Sequence, residues 1–88
     1  MGMQQLMTDK LTEAFQPDLL EVVDESEDHR GHGGWREGGE THFRVRMTSP
    51  AFAGQSRVAR QRAVNKVLAE EMATTVHALA MELKAPGE

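Results

Sequence analysis

The sequence contains no cysteine, so it has neither a disulfide framework nor a thiolate of its own for catalysis or metal binding. No apolar run approaches the roughly 18 residues that a membrane-spanning helix needs. The first residues, MGMQQLMTDK, have neither the basic segment nor the apolar stretch of an export signal. These absences predict a cytoplasmic protein without a membrane segment.

Common signatures of enzymes are also missing. The chain has no GxSxG elbow, no P-loop and no HExxH helix, so we expect no enzymatic activity. The net charge of −4 argues against general coating of nucleic acid, although a local basic patch is compatible with it. The length of 88 residues and the 39% hydrophobic content indicate one small domain with a thin core, which we expect to be monomeric in isolation.

Hydrophobic periodicity predicts five elements. Apolar residues recur at helical spacing from Met3 to Phe15, and Pro17 ends that pattern. Residues 41–47 alternate between apolar and polar side chains, which is typical of a half-buried strand. The full prediction is a helix at 3–15, strands at 19–24 and 41–47, a helix at 56–73 and a strand at 76–83. In the last segment the periodicity also allows the helix to continue to Lys84.

This order predicts an α+β fold, α-β-β-α-β, in a single domain covering residues 1–88. A helix joins strands 2 and 3, so they should be parallel, while strands 1 and 2 should be antiparallel. The helices should then cover one face of a three-stranded mixed sheet. We expect a long loop at 25–40 and, because Pro86 ends the last pattern, a disordered tail at 85–88.

The loop at 25–40 is the unusual part of this plan, since paired strands are usually joined by about 2 to 5 residues. Such a loop is either functional or disordered, and its glycines make ordering costly in backbone entropy. His29 and His32 have a spacing that could place two imidazoles on one iron, zinc or copper ion, although two ligands do not complete a site. Trp35 could anchor the loop or contact a partner.

Two further histidines lie in predicted strands. His77 shares the apolar face of the last strand, where a lone histidine is usually a hydrogen-bonded core residue, but its terminal position would let it reach the rim. His42 falls on the polar face of the second strand, and we expect it to be solvated.

Basic residues crowd the first half of the long predicted helix, and acidic residues occupy its later part. This arrangement opposes the helix macrodipole, which raises the question of a bound anion such as phosphate. The alternative is a solvated face with a Lys66–Glu70 pair at i,i+4 spacing. The residues concerned are Arg57, Arg60, Arg62 and Lys66.

Three stretches in a fixed order resemble the BolA family and together cover nearly the whole chain: LLEVVDES, GETHFRVRMTSPAFAGQSRVARQRAVN and VHALA. The fold of that family resembles a class II KH-like domain, which agrees with the predicted order of elements. One departure is Gln61, which stands where the family commonly has the histidine of an Arg-His-Arg motif.

The resemblance implies a partner and a cofactor. BolA-like proteins pair with monothiol glutaredoxins and share a [2Fe-2S] cluster, which the glutaredoxin cysteine and glutathione hold on one side and BolA-type histidines on the other. His77, in the VHALA motif, matches one ligand; His29 matches the loop ligand, and His32 is a rival for that place. The isolated chain should bind no cofactor tightly, and its role would be iron–sulfur trafficking or iron and redox regulation.

The family is also linked to DNA binding and transcriptional control. The turn at Gly54 and the helix start that follows resemble a KH-like nucleic-acid surface, where backbone N–H groups suit phosphate. The residues that this resemblance assigns to DNA are Gly54, Ser56, Arg57, Arg60, Arg62 and Lys66. The acidic total predicts weak, salt-sensitive binding.

Overall fold

The computed structural model describes residues 2–25, 42–76 and 78–88. Within them the elements are α1 (Met3–Phe15), β1 (Leu19–Asp24), β2 (His42–Thr48), a 3-10 turn (Pro50–Phe52), α2 (Arg57–Val67), α3 (Ala69–Thr74) and β3 (Ala78–Lys84). Nearly all of the predicted loop at 25–40 lies outside the described residues, as does His77.

The predicted sheet is confirmed. The strand order is β1-β2-β3, with β1 antiparallel to β2 and β2 parallel to β3. Alternate side chains of β2 and β3 point into a core that they share with the helices, while Arg44, Arg46 and Glu82 on the other face are exposed. The helices therefore cover one face of the sheet, and the last segment is a strand rather than a continued helix.

The first helix follows its predicted stripe. Met7 and Leu11 are fully buried against the sheet. The helix ends where Gln16 adopts the left-handed conformation, with φ of 46°, and donates its N–H to the Thr12 carbonyl at 2.9 Å. Pro17 follows and cannot continue the helix.

The prediction of one helix at 56–73 is wrong, because the segment forms two helices. The break lies at Leu68, whose φ of −100° and ψ of 21° leave the helical region. Leu68 and the preceding Val64 are both fully buried, so the corner keeps both helices packed on the core. No glycine or proline marks the corner, and packing rather than local sequence places it. The predicted Lys66–Glu70 pair falls across it, and Glu70 lies instead 3.8 Å from Lys10.

The region between β2 and α2 is built around Phe52. This side chain is fully buried, and its ring centroid lies 5.2 Å from that of Phe15. Gly54 follows with a φ of 77°, a conformation that side-chain-bearing residues rarely adopt, and this confirms the predicted tight turn. Ser56 then caps the start of α2: its side chain accepts a hydrogen bond from the Ala59 N–H at 3.1 Å, as serine commonly does at an N-cap.

Ser49 connects three parts of the fold and is fully buried. Its hydroxyl donates to the Phe15 carbonyl at 2.7 Å and accepts from the Ala51 N–H at 3.1 Å. Its own N–H donates to the Lys84 carbonyl at 2.9 Å. Ser49 therefore fixes the end of α1 to the end of the sheet.

Replacing Ser49 by alanine should lower the free energy of unfolding by about 1–3 kcal/mol, because the half-buried Phe15 carbonyl and the Ala51 N–H both lose their hydrogen-bond partner. Urea unfolding followed by far-ultraviolet circular dichroism measures this. Thr12→Ala, at an exposed position of α1, should change stability by less than about 0.5 kcal/mol. Equal effects of the two substitutions would contradict the proposed bridging role.

The prediction of a disordered tail at 85–88 is wrong as well. Ala85 is buried, and the Glu88 N–H donates to the Ala85 carbonyl at 3.2 Å across a turn in which Gly87 has a φ of 89°. Side-chain contacts of Glu88, described below, fix this turn. Within the described ranges no helix is long and apolar enough to cross a membrane.

Candidate functional site

One end of the sheet brings together the residues next to the predicted metal ligands. Asp24 pairs with Phe43, and the N–H of Glu25 donates to the His42 carbonyl at 2.7 Å. On the other side His42 pairs with Ala78. We call this group, Asp24, Glu25, His42 and Ala78, the loop end of the sheet, because segment 26–41 is attached there at both of its ends.

The three predicted ligands, His29, His32 and His77, lie outside the described residues. Their chain neighbours do not: Glu25 and His42 border the segment that contains the first two, and Ala78 directly follows the third. The covalent chain therefore attaches all three histidines to the loop end of the sheet. Residues 2–25, 42–76 and 78–88 by themselves contain no group of three or more metal-binding side chains.

His42 departs from its prediction. It is only 8% exposed, although we expected a solvated side chain. It shares a sheet face with Arg44 and Arg46, which are exposed. Alternation predicts the face of a strand that a residue occupies but not what covers that face locally. The loop end thus includes a buried imidazole that sequence reasoning placed in water.

A half-buried ion pair between Lys10 and Glu71 supports the segment that leads into β3. The carboxylate of Glu71, in α3, is almost fully buried and accepts hydrogen bonds from Lys10 Nζ at 3.0 and 2.8 Å. This hydrogen bonding raises the pKa of Lys10. The Glu71 carbonyl accepts from the N–H groups of Thr75 and Val76 at 3.0 and 2.9 Å. The ion pair therefore connects α1 to the turn that leads into β3.

The predicted DNA-binding residues do not form one surface. Arg57, Arg62 and Lys66 are exposed on α2. Successive residues of a helix are rotated by about 100°, so Arg62 and Lys66 share a face while Arg57 points to the opposite side. Ser56 is occupied in capping the helix, and Gly54 forms the preceding turn.

Arg60 is not part of an exposed basic patch, contrary to the prediction. It is 9% exposed, and its Nη1 and Nη2 donate to the two carboxylate oxygens of Glu88 at 2.6 and 2.7 Å. Nη1 also donates to the Leu83 carbonyl at 3.2 Å, and the guanidinium carbon lies 5.9 Å from the Phe52 ring centroid. The charge of Arg60 is therefore directed to β3 and Glu88.

The contact between Arg60 and Glu88 shifts the pKa values of both residues. The hydrogen bond from Arg60, followed by one from the Ala85 N–H, lowers the pKa of Glu88 from 4.5 to about 2. The hydrogen bond to Glu88 also raises the pKa of Arg60. Glu88 thus stays ionised at every pH at which the protein is expected to work.

We expect the carboxyl resonance of Glu88 to titrate with a midpoint near pH 2. Because this pKa lies below the ordinary value, the contact contributes stability above about pH 4.5 and is lost as the pH falls towards 2. Carbon-detected NMR across this range gives the midpoint, and the Arg60 Nε resonance should follow it. In Glu88→Gln that pH dependence should disappear. A midpoint near 4.5 would contradict the contact.

Sequence reasoning missed Glu88, Lys10 and Glu71. Arg60 and Glu88 are 28 positions apart in the sequence, and Lys10 and Glu71 are 61 positions apart. No local spacing pattern predicts such contacts. The burial of Arg60 did have a signal: it lies four residues before Val64 and eight before Leu68, on the buried stripe of the helix. The prediction placed Arg60 in solvent because of its charge and did not use its position on the buried stripe.

Comparison with known proteins decides the family. The family model described as BolA-like protein matches residues 11–88. The chain belongs to the BolA family. A BolA relative from Escherichia coli K12, named DNA-binding transcriptional regulator BolA, is 44% identical over 81 residues, which cover 92% of this chain and 73% of the relative. An uncharacterized protein from the cobS 5′ region of a Sinorhizobium species is 52% identical over 89 residues, covering 100% and 96%.

The BolA fold is confirmed by a solved structure. The BolA domain of SufE1 from Arabidopsis thaliana superimposes with a TM-score of 0.87 at 38% identity, covering 98% of this chain and 95% of that domain. The resemblance stated from the three sequence stretches is therefore correct.

Proposed function

We propose that this BolA-family chain is a non-enzymatic adaptor that pairs with a monothiol glutaredoxin and co-ligates a [2Fe-2S] cluster. Its ligands would be His77 and one histidine of the loop, His29 or His32. The observation that supports this proposal is the strand register: Glu25, His42 and Ala78 lie side by side, so the segment carrying the loop histidines and the position of His77 start from the same end of the sheet.

The donor set of the chain fits this role. Neutral imidazole is a suitable ligand for iron, and the absence of cysteine means that all thiolates would come from the glutaredoxin and glutathione. When bound, the cluster would supply a one-electron redox couple, whose potential rises when histidine replaces thiolate on one iron. The chain itself would hold two imidazoles in place and select the partner.

The composition of the loop predicts moderate affinity for the partner. Fixing a glycine-rich sequence in one conformation costs backbone entropy, and this cost is subtracted from the binding free energy. In return the segment can be positioned after docking has begun. We therefore expect the mixed complex to form readily when the cluster is present and weakly when it is not.

Co-expression with the monothiol glutaredoxin of the same host tests the proposal. The purified pair should contain both proteins and show visible absorption and circular dichroism bands that differ from those of the glutaredoxin homodimer, because nitrogen has replaced sulfur on one side of the cluster. The apo proteins, mixed at the same concentrations, are the control. A cluster-containing pair with the spectrum of the homodimer would reject ligation by this chain.

DNA binding is a second candidate, because relatives from Vibrio cholerae and Escherichia coli are named DNA-binding transcriptional regulators. Arg62 and Lys66 are exposed on one face of α2 and could contact phosphate. Arg60 would contribute little, since its guanidinium is already paired with Glu88. Contacts of these cations with phosphate would make the binding salt-sensitive, and the net charge of −4 would make it weak.

For this candidate, Arg62→Glu combined with Lys66→Glu should weaken binding to duplex DNA and reduce the slope of log affinity against log salt by about 2. Arg57→Glu, on the opposite side of α2, is the matched control and should have a smaller effect. Fluorescence anisotropy at several salt concentrations measures both. Binding that survives the double substitution with an unchanged slope would exclude this face.

A further inference from the structure

A cleft of about 380 Å³ lies between the first half of α2 and the second half of β3. We call it the α2–β3 cleft. Its walls include Gln55, Arg57 and Gln61 on the helix side and Met81, Leu83 and Lys84 on the strand side, with Arg60 and Glu88 between them. It lies at the other end of β3 from Ala78, roughly 16 Å away at about 3.3 Å per residue, and is therefore separate from the loop end of the sheet.

The charges of the cleft favour an anion once Glu88 is set aside. Glu82 faces Arg46 on the open side of the sheet, with Nε 2.7 Å from its carboxylate oxygen. The remaining charged side chains of the lining are the cations Arg57, Arg60 and Lys84. Lys84 shares the face of Glu82, but it is close enough to Glu88 to contribute to lowering the pKa of that carboxyl. Glu88 is the anion that Arg60 holds in this structure, and the charge of Lys84 adds to the attraction.

Arg60, which binds the carboxylate, is buried, whereas Glu88, which supplies it, is not. The side chain of Arg60 is 11% exposed, whereas that of Glu88 is 45% exposed. Within the described part of the chain, Arg60 Nε is buried and has no hydrogen-bond partner. A buried donor without a partner is costly, so Glu88 does not use the full binding capacity of the guanidinium. Glu88 is the exposed last residue of a four-residue turn, whose first residue, Ala85, is buried in the core.

The neighbouring strand offers a second element of recognition. β3 is at the edge of the sheet, and no described strand pairs with its outer side. The Leu83 carbonyl, which accepts from Arg60, marks where that outer side meets the cleft. An extended peptide can pair with a free strand edge through its main chain while one of its side chains enters an adjacent pocket.

From these features we propose that the α2–β3 cleft binds an extended acidic segment of a partner protein, with a carboxylate of that segment replacing Glu88 on Arg60. The Glu88 contact shows the geometry: two parallel N–H···O bonds from the guanidinium, which suit the planar carboxylate, and a third bond from the Ala85 N–H at 3.0 Å. Glu88 acts as a built-in competitor that keeps the cleft closed to weak ligands.

The test uses NMR with the ¹⁵N-labelled chain and the probe peptide acetyl-Thr-Val-Glu-Val-Thr-amide, an extended sequence with one carboxylate. In Glu88→Gln the probe should shift the Arg60 Nε–Hε and Leu83 amide signals in a saturable way. In the unaltered chain its affinity should be roughly tenfold lower, because the tethered Glu88 carboxylate competes at a high effective concentration.

Two controls decide the chemistry without altering Arg60. The peptide with glutamine in place of glutamate should not bind, and inorganic phosphate should shift the Arg60 signal less than the glutamate peptide at equal concentration. Equal binding of the two peptides, stronger binding of phosphate, or no binding to Glu88→Gln would each overturn the proposal.

Discussion

Replacing His77 by alanine is expected to abolish the spectral difference between the mixed complex and the glutaredoxin homodimer. His77 directly precedes β3, whose first residue, Ala78, pairs with His42 at the loop end of the sheet. Alanine has no atom that can bind iron, so this chain would lose its ligand on the strand side. Visible circular dichroism of the co-purified proteins measures the change, which we expect to be complete rather than partial.

The loop histidines supply the comparison for this result. His29→Ala should have nearly the same effect as His77→Ala, while His32→Ala should leave the spectrum unchanged; the reverse pattern would assign the loop ligand to His32. Far-ultraviolet circular dichroism and thermal unfolding of each apo variant check that the fold survives. If His77→Ala retains the full spectral difference in a folded protein, the assignment of this ligand is wrong.

Replacing Phe52 by alanine is expected to lower the free energy of unfolding by about 3–5 kcal/mol. The ring is fully buried, stacks at an angle of 37° against Phe15 and lies under the guanidinium of Arg60. Truncation would leave a cavity where the 3-10 turn meets α1 and α2. Small domains have a total stability of about 5–15 kcal/mol, so the loss would be a large fraction of the stability of this protein.

Urea unfolding gives this value, and Val58→Ala is the matched control. Val58 is an apolar residue of α2 that is 53% exposed, and its truncation should cost less than about 0.5 kcal/mol. A loss below about 1 kcal/mol for Phe52→Ala would show that this part of the core is not packed as described. Comparing the two variants shows whether the loss of stability comes from truncating a buried side chain or from truncating any apolar side chain.

The sheet was predictable because its signal is local and redundant. Phe43, Val45 and Met47 alternate with polar residues, and β2 occupies the central position, where one face must be buried. The parallel pairing of β2 with β3 follows from the helical connection between them. The stripe of Met7 and Leu11 similarly predicted α1 with its bounds correct.

The failures share a physical origin. The corner at Leu68, the burial of His42 and the pairing of Arg60 with Glu88 are all set by contacts between distant parts of the chain. Charge led us to place Arg60 in solvent, although its spacing from Val64 put it on the buried stripe. Pro86 led us to expect disorder, although the turn that contains it, from Ala85 to Glu88, brings Glu88 to Arg60. The chemical type of a residue can be read from the sequence. The position of its contact partner depends on the whole fold.

The two proposed sites lie at opposite ends of β3, and this separation gives the strand two roles. Its first residue, Ala78, follows His77 at the end where the cluster would be shared, and Leu83 borders the α2–β3 cleft. The two sites can therefore be tested independently: Glu88→Gln should leave cluster ligation intact, and His77→Ala should leave peptide binding intact.

The most direct test of histidine ligation is pulsed electron paramagnetic resonance of the reduced mixed complex, with this chain labelled with ¹⁵N-histidine and the glutaredoxin unlabelled. The account predicts ¹⁵N couplings from two imidazole nitrogens bound to one iron, and the loss of both couplings in the sample prepared with His77→Ala, because one remaining loop histidine would not hold the cluster in the mixed complex. A reduced cluster that shows no ¹⁵N coupling from the labelled chain would contradict it.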